Sequence, residues 1–346
     1  MKKTIILSSI LIVLILLAIG GFIAKQYYHV TRSNFISNDG KSHSYFLTPD
    51  MNVDDVVNAI QKDYQIKSDL AWNIACKHYN FDQIKPGYYE FPSQFSSLEI
   101  INRLQNGKET PINISFNHSL RTREQLAAHL GEKLLIDSTE IKSKLDDATY
   151  LAKFNLTPET AVCLFIPNTY EVYWGMSVDQ LFERMHTEYK QFWNEERLNK
   201  AKKIGLSPTE VATLASIIAC ETNNTSEHPT IASLYMNRIR KGMPLQACPT
   251  VIYAVGDFSM SRVLNKHLEI DSPYNTYKYK GLPPGPIRLA RPDIMEAVLD
   301  APKTEYLFMC ANPDFSGTHI FSTTYAKHKS VAKQYQRELD RRIIKS

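Results

Sequence analysis

The stretch Ser207–Thr250, SPTEVATLASIIACETNNTSEHPTIASLYMNRIRKGMPLQACPT, carries the reading of the fold. It opens with a complete helix start: Ser207 as cap, Pro208 in the first turn, and Glu210 where a capping box places its carboxylate. Val211, Leu214, Ile217 and Ile218 then repeat at helical spacing and give that helix an apolar face. Glu221 falls on the same face, close to the helix C-terminus. Burial and the helix dipole both disfavour a negative charge there. A carboxylic acid held neutral near physiological pH is what cleavage of a glycosidic bond needs as its proton donor. A solvated acid at a helix end is the other reading this helix alone allows. Asn223 and Asn224 end the helix, and a second starts near Pro229 with Ile231, Leu234, Tyr235 and Ile239 in phase and Gly242 as its stop. Two helices joined by a short polar loop predict a cleft wall with Glu221 at its rim.

Working outward, the run Ser272–Ile287, SPYNTYKYKGLPPGPI, interleaves tyrosines with prolines and glycines. Its turns fix the backbone, while Tyr274, Asn275, Thr276 and Tyr277 offer ring faces and hydrogen-bonding groups suited to a polysaccharide groove. A proline-rich linker is the bland alternative. Gln246, Thr250 and Tyr253 follow the second helix closely and are expected to aim polar groups at the same cleft. Asn237, on that helix, is counted with them as a substrate-binding candidate.

ASIIACET (215–222), IASLYMNRIRKGMPLQ (231–246), PTVIYAVG (249–256), the 272–287 run and HIFS (319–322) occur in this order and at this spacing. Together they resemble the YceG-like (MltG) family of endolytic murein transglycosylases, closely over the C-terminal half and loosely over the N-terminal half. Several linked motifs are far more specific than one short pattern. The resemblance implies that Glu221 protonates the glycosidic oxygen between MurNAc and GlcNAc. As carboxylate it then takes a proton from the C6 hydroxyl of the same sugar, which closes to a 1,6-anhydro end without water, metal or cofactor. It also implies a substrate-positioning or helix-start role for Glu227, and matches His319 to a family histidine, for which a structural role is the simpler expectation. Two positions depart from the family pattern: Cys248 stands where an Asp is usual, and Ala219 where a Glu is usual.

The chain has 346 residues, 40 Lys+Arg against 36 Asp+Glu, and a net charge of +4. That balance gives no concentrated basic patch and argues against nucleic acid. Thr4–Ala24 runs 21 residues without a charge, behind Lys2 and Lys3. Such a run can span a bilayer, and its length and the lack of a small-residue cleavage site favour a retained anchor over a cleaved signal peptide. Charge does not set its orientation, since Lys25 and Arg32 offset Lys2 and Lys3. The resemblance implies a single-pass protein of the cytoplasmic membrane, with its bulk on the outer face and peptidoglycan synthases nearby. Five cysteines (76, 163, 220, 248, 310) form no CxxC pair, disulfide framework or zinc pattern, although Cys220 and Cys248 are a pair to check.

Residues 43–108 read as a small α/β module: strands at Ser44–Leu47 and Tyr88–Phe91 enclose helices at Val53–Tyr64 and Ser68–Tyr79, and a helix Ser96–Asn106 closes at Gly107. This order resembles the LysM-like, glycan-binding portion of the same family. Further on, a strand is expected at Pro111–Phe116, helices at Arg123–Leu134, Ser138–Leu145 and Val178–Ile204, a strand pair at Tyr306–Cys310 and His319–Ser322, and a closing helix from Ala326 to about Ile344. The fold class expected is α+β: a membrane anchor over 1–30, the LysM-like module over 43–108, and a mixed catalytic domain over 109–346 whose helical part resembles lysozyme-type enzymes. Two rival functions remain. One is a non-catalytic, membrane-anchored peptidoglycan-binding scaffold. The other is a wall peptidase using Cys220 or Cys248 with His228, which thiol alkylation would silence.

Overall fold

The computed structural model describes residues 2–117, 119–260 and 262–343 and has mixed α+β character. The Ile344 end expected for the last helix lies outside the described residues. By its contacts the chain divides into two units: residues up to Ile114 with 133–136 and 171–177, and the remainder.

The first unit starts with helix α1 (Lys2–Thr31). Its segment Ile6–Thr31 has a mean hydropathy of 2.9 and a hydrophobic window wholly unburied, so it is long and apolar enough to cross a membrane. After it, strand β1 (Phe35–Ser37) lies between β3 (Tyr64–Ile66) and β5 (Gln94–Phe95), antiparallel to both. Strand β2 (His43–Leu47) pairs antiparallel with β4 (Gly87–Phe91), Tyr45 opposite Tyr89. Helices α2 (Val53–Asp63), α3 (Asp69–His78) and α4 (Ser97–Asn106) are capped by Asn52, Ser68 and Ser96, and Gly107 closes α4 at φ +66°. The paired strands and three helices enclose a core of Phe35, Tyr64, Trp72, Tyr89, Phe91 and Phe95. Phe35 stacks on Phe95 at 4.9 Å and meets Trp72 edge-on at 5.2 Å. The three short strands β1, β3 and β5 are too brief to leave a period in the sequence, which is why only β2 and β4 were expected. The division between units passes through two more short strands, β6 (Ile112–Ser115) and β7 (Thr169–Val172).

In the second unit, α5 (Arg123–Gly131), α6 (Ser138–Asp146) and the single turn α7 (Ala148–Leu151) precede α8 (Val178–Phe192) and α9 (Glu195–Ile204). The expected continuous 178–204 helical stretch is two helices, because Asn194 leaves the helical conformation and caps α9. Helix α10 (Pro208–Glu221) carries the full capping box of Ser207 and Glu210. Every residue from Val211 to Ile218 is buried, so the middle of α10 is wrapped on all sides and only its two ends reach a surface. Helix α11 (His228–Arg240) packs against it, followed by α12 (Cys248–Val255), the turn α13 (Asn265–Leu268) and α14 (Pro292–Leu299), which touches both α10 and α11. The hairpin of β8 (Phe308–Ala311) and β9 (His319–Ser322) and the final helix α15 (Tyr325–Ile343) complete the unit.

Candidate active site

Helix α10 delivers Glu221 to the wall of a cavity of about 350 Å³. Tyr235, Arg238, Gln246, Cys248, Tyr277, His319 and His328 supply most of the remaining polar lining. Tyr235 stands two turns into α11 and is 2% exposed. Its hydroxyl donates to Glu221 Oε1 at 2.7 Å. Burial holds the Glu221 carboxyl above the usual carboxylate range, and outweighs the opposing pull of the Tyr235 hydrogen bond and the nearby His319 and Arg238. With Oε1 engaged as an acceptor, Oε2 is the oxygen that can carry the acid proton. Glu221 is therefore equipped to donate.

Arg238, one turn beyond Tyr235, is buried to 8% exposure. Its Nε donates to the Leu307 carbonyl at 2.6 Å and its Nη1 to the Leu245 carbonyl at 2.6 Å. One guanidinium thus ties the start of the hairpin to the segment leaving α11, and adds a fixed positive charge to the cavity wall. Burial lowers its pKa from the ordinary guanidinium value, but a guanidinium remains charged at any physiological pH.

Glu227 lies outside the cavity lining and acts on it through His319. It is 8% exposed; its Oε1 accepts the His319 backbone N–H at 2.7 Å, and its Oε2 lies 2.8 Å from His319 Nδ1. Both oxygens are spent on one residue of β9, which fixes that imidazole in the wall facing the cleft. His319 is a satisfied histidine and also a cavity residue.

Gln246 reaches the cavity through an unusual backbone: its φ is +51°. A non-glycine residue in the left-handed region is held there by its surroundings. Here the restraint is Thr276, whose carbonyl accepts the Gln246 N–H at 3.0 Å and whose hydroxyl accepts the Ala247 N–H at 3.0 Å. Tyr277 follows directly and places its hydroxyl 3.1 Å from the Cys248 sulfur at the cavity edge.

Of the residues expected from sequence to bind substrate, Gln246 and Tyr277 join Glu221 in the cavity. Thr250, Thr276, Asn275 and Asn237 lie inside the fold. Thr250 and Thr276 hydroxyls meet at 2.8 Å, Asn275 donates to the Leu268 and Ile270 carbonyls at 2.9 Å each, and Asn237 donates to the Thr304 carbonyl at 2.8 Å. Thr250, Thr276 and Asn275 shape the loop that carries Gln246 and Tyr277, while Asn237 holds the segment that leads into β8. Tyr253 and Tyr274 pair with each other at 4.7 Å and are not among the cavity residues. Sequence reading missed Tyr235 and Arg238 as site residues. Tyr235 fitted the apolar phase of α11, and the only available clue was that a tyrosine and an arginine interrupt a buried helix face one turn apart.

The cysteines are all unbonded. His228 Nε2 lies 3.2 Å from the Thr222 carbonyl oxygen, Cys220 contacts the Arg288 guanidinium, and Cys248 contacts Tyr277. Neither thiol has His228 as a hydrogen-bond partner, so the Cys–His arrangement that a thiol nucleophile needs is not formed. Among the described residues no cluster of three or more His, Cys, Asp or Glu is grouped to hold a metal ion.

The chain is 30% identical over 296 residues to the endolytic murein transglycosylase of Bacillus subtilis (strain 168), covering 81% of each chain. It is 23% identical to the protein of the same name from Streptococcus pneumoniae serotype 2 (strain D39), covering 96% of this chain and 65% of that one. Among solved structures, a YceG-like protein of Listeria monocytogenes matches with a TM-score of 0.55 and 27% identity over 84% of this chain and 99% of the other. The YceG-like family matches residues 46–334, a span that includes α10, α11, α12, the 272–287 loop and the β8–β9 hairpin, and this chain belongs to that family.

Proposed function

We propose that the protein is an endolytic murein transglycosylase, which cleaves the MurNAc–GlcNAc bond of peptidoglycan strands and leaves a 1,6-anhydro-MurNAc end. The single observation that carries this reading is the Glu221 carboxyl: raised by burial, bonded through one oxygen to Tyr235, and, among the described residues, the only carboxylate lining the cavity. A retaining glycosidase needs a second carboxylate about 5–5.5 Å from the first as nucleophile, and an inverting one needs a base about 6.5–9.5 Å away. Glu227 does not supply either, since it lies outside the cavity lining, with its carboxylate turned to His319. An internal nucleophile, the C6 hydroxyl of the sugar being cleaved, removes that requirement. Glu221 gives its Oε2 proton to the leaving glycosidic oxygen, and as carboxylate receives the proton of the C6 hydroxyl as the anhydro ring closes. Proton and bond counts balance, and Glu221 is returned neutral. Gln246 and Tyr277 supply hydrogen-bonding groups for the sugars on either side, and the curated relatives carry the name of this activity.

In the same reading α1 is a retained single-pass anchor of the cytoplasmic membrane, with the enzyme on its outer face near the wall synthases. Residues 43–108 of the first unit are a LysM-like glycan-binding module, and α10 with α11 is the lysozyme-like part. His29 is buried and Val30 packs on the first unit's core, so the C-terminal end of α1 belongs to the folded unit.

Mass spectrometry of muropeptides tests the chemistry. Isolated peptidoglycan incubated with the protein should yield 1,6-anhydro-MurNAc ends that are absent with Glu221→Gln. Reducing ends would make it a hydrolase, and binding without cleavage by the native chain would make it a scaffold. Alkylation does not separate the cysteine peptidase cleanly, because Cys248 lines the cavity and an adduct there obstructs substrate. Cys248→Ser and Cys220→Ser do separate it: both should retain glycan cleavage.

A further inference from the structure

Helix α1 joins the first unit without a hinge. Gln26 Oε1 accepts the Ser68 hydroxyl at 2.6 Å, His29 is buried with its Nδ1 2.7 Å from the Ser33 carbonyl oxygen, and Val30 packs on the core. Directly after it, Asn34 is fully buried, donates to the Ser68 carbonyl at 3.1 Å and the Ser97 hydroxyl at 2.9 Å, and accepts the Ser68 N–H at 2.8 Å. The last turns of the helix are part of the folded unit, and no slack segment separates the two.

A groove of about 470 Å³ runs along this joint. Phe22, Ile23 and Tyr27 form one wall and Ile74, Tyr79 and Leu98 the other; Gln26, Thr31 and His78 are its polar members, and its lining is largely apolar. Beside it Leu70 and Ile74, one turn apart on α3, are 47% and 46% exposed. A contiguous apolar surface of this kind on a water-facing module calls for a partner. Continuity with α1 identifies that partner. Counted from Thr4, the first residue of the uncharged run, about 20 residues at ~1.5 Å each cross a hydrocarbon layer of ~30 Å. The helix therefore leaves that layer near Ile23, and Tyr27 and Tyr28 follow at the depth where interfacial tyrosines sit. On the anchor reading the groove opens at the level of the lipid headgroups, and one of its walls continues the helix face that lipid would cover.

We infer that the first unit lies on the bilayer surface, with Leu70 and Ile74 against the leaflet from which α1 emerges and lipid chains entering the groove. This rests on the anchor reading of α1. A unit fixed at the membrane in this way meets glycan next to the bilayer, not deep in the wall. The substrate class it favours is therefore membrane-proximal strand.

The test uses the full chain in nanodiscs of phosphatidylethanolamine and phosphatidylglycerol. A photoreactive benzoylphenylalanine replaces Leu70 or Ile74, or, as controls on α2, the exposed Asp54 or Gln61. All four positions are at the surface, and retained peptidoglycan cleavage or binding checks that each variant is folded. Lipid adducts at 70 and 74 and none at 54 and 61 are expected. Equal yields at all four positions, no lipid adduct at 70 and 74, or adducts between two copies of the chain overturn the inference. Carbonate extraction separates the two levels: a chain that washes out of the membrane ends the anchor reading and this inference together. A chain that stays embedded without lipid adducts at 70 and 74 ends only this one.

Discussion

In the proposed reaction Glu221 has to be neutral when it meets the glycosidic oxygen and charged a moment later, and its surroundings suit both states. Burial favours the neutral acid, and the Tyr235 hydrogen bond steadies the carboxylate that follows. Two predictions belong at this scale. Tyr235→Phe removes the bond that favours the charged form, so the carboxyl moves further up and the alkaline limb of the pH–rate profile shifts to higher pH. Loss of a bond worth about 1–2 kcal/mol in the transition state should slow turnover by roughly tenfold. An unmoved alkaline limb would show that Tyr235 does not sense the acid. Glu221→Gln should reduce cleavage by about 10²-fold or more. It should also change the dependence of stability on pH. Because the folded carboxyl is raised, its stabilising proton is fully present below the ordinary carboxylate range and is lost as pH rises through the folded value. Glutamine carries no such penalty. Urea midpoints of variant and native protein should then converge near pH 4, with the variant ahead at pH 8; the reverse order would contradict a raised acid.

Elements bring the site together from distant sequence, and one side-chain contact joins the start of α11 to the β8–β9 hairpin. Glu227, at the start of α11, holds His319 at the start of β9 across 92 residues of chain. Glu227→Ala leaves two N–H donors facing a buried void, at a cost of about 1–3 kcal/mol each if both stay dry. We expect a lower melting temperature, a raised KM and a distorted pH profile. Glu227→Gln retains an acceptor and should rescue folding well before it rescues the pH profile. Rescue of both together would make Glu227 purely structural. Apart from the break at Asn194 within the expected 178–204 helix and the end of α5 at Gly131 in place of Leu134, the helix boundaries were legible: Ser207, Pro208 and Glu210 start α10 as their chemistry dictates, and Gly107 closes α4. Pairings such as Thr250 with Thr276 were not, because a threonine turned inward to its partner and one turned outward to a sugar look alike in a sequence.

The molecule as a whole contains two units with separate cores, and each should answer to its own substitutions. Phe35→Ala removes the ring that joins Phe95 and Trp72 at the centre of the first unit, and should cost about 3–5 kcal/mol there. Hydrogen exchange should quicken in β1, β3 and α4 while the amides of α10 and α11 stay protected; faster exchange in α10 would mean that the units unfold as one. Local chemistry let the sequence determine a good deal: the apolar run of α1, the capped helices, the α10–α11 pair and Glu221 at its edge all follow from period, caps and charge placement. The linked motifs added the family. Tertiary structure alone decided which polar groups face the cleft. Tyr235 and Arg238 sit in phase with the apolar residues of α11 and became site residues only because α10 and the β8–β9 hairpin meet that face. Asn237, Thr250, Asn275 and Thr276 found their partners inside instead. Periodicity fixes which side of a helix a residue occupies, but whether that side meets core or cavity depends on what packs against it, and that is set by contacts between residues far apart in the chain.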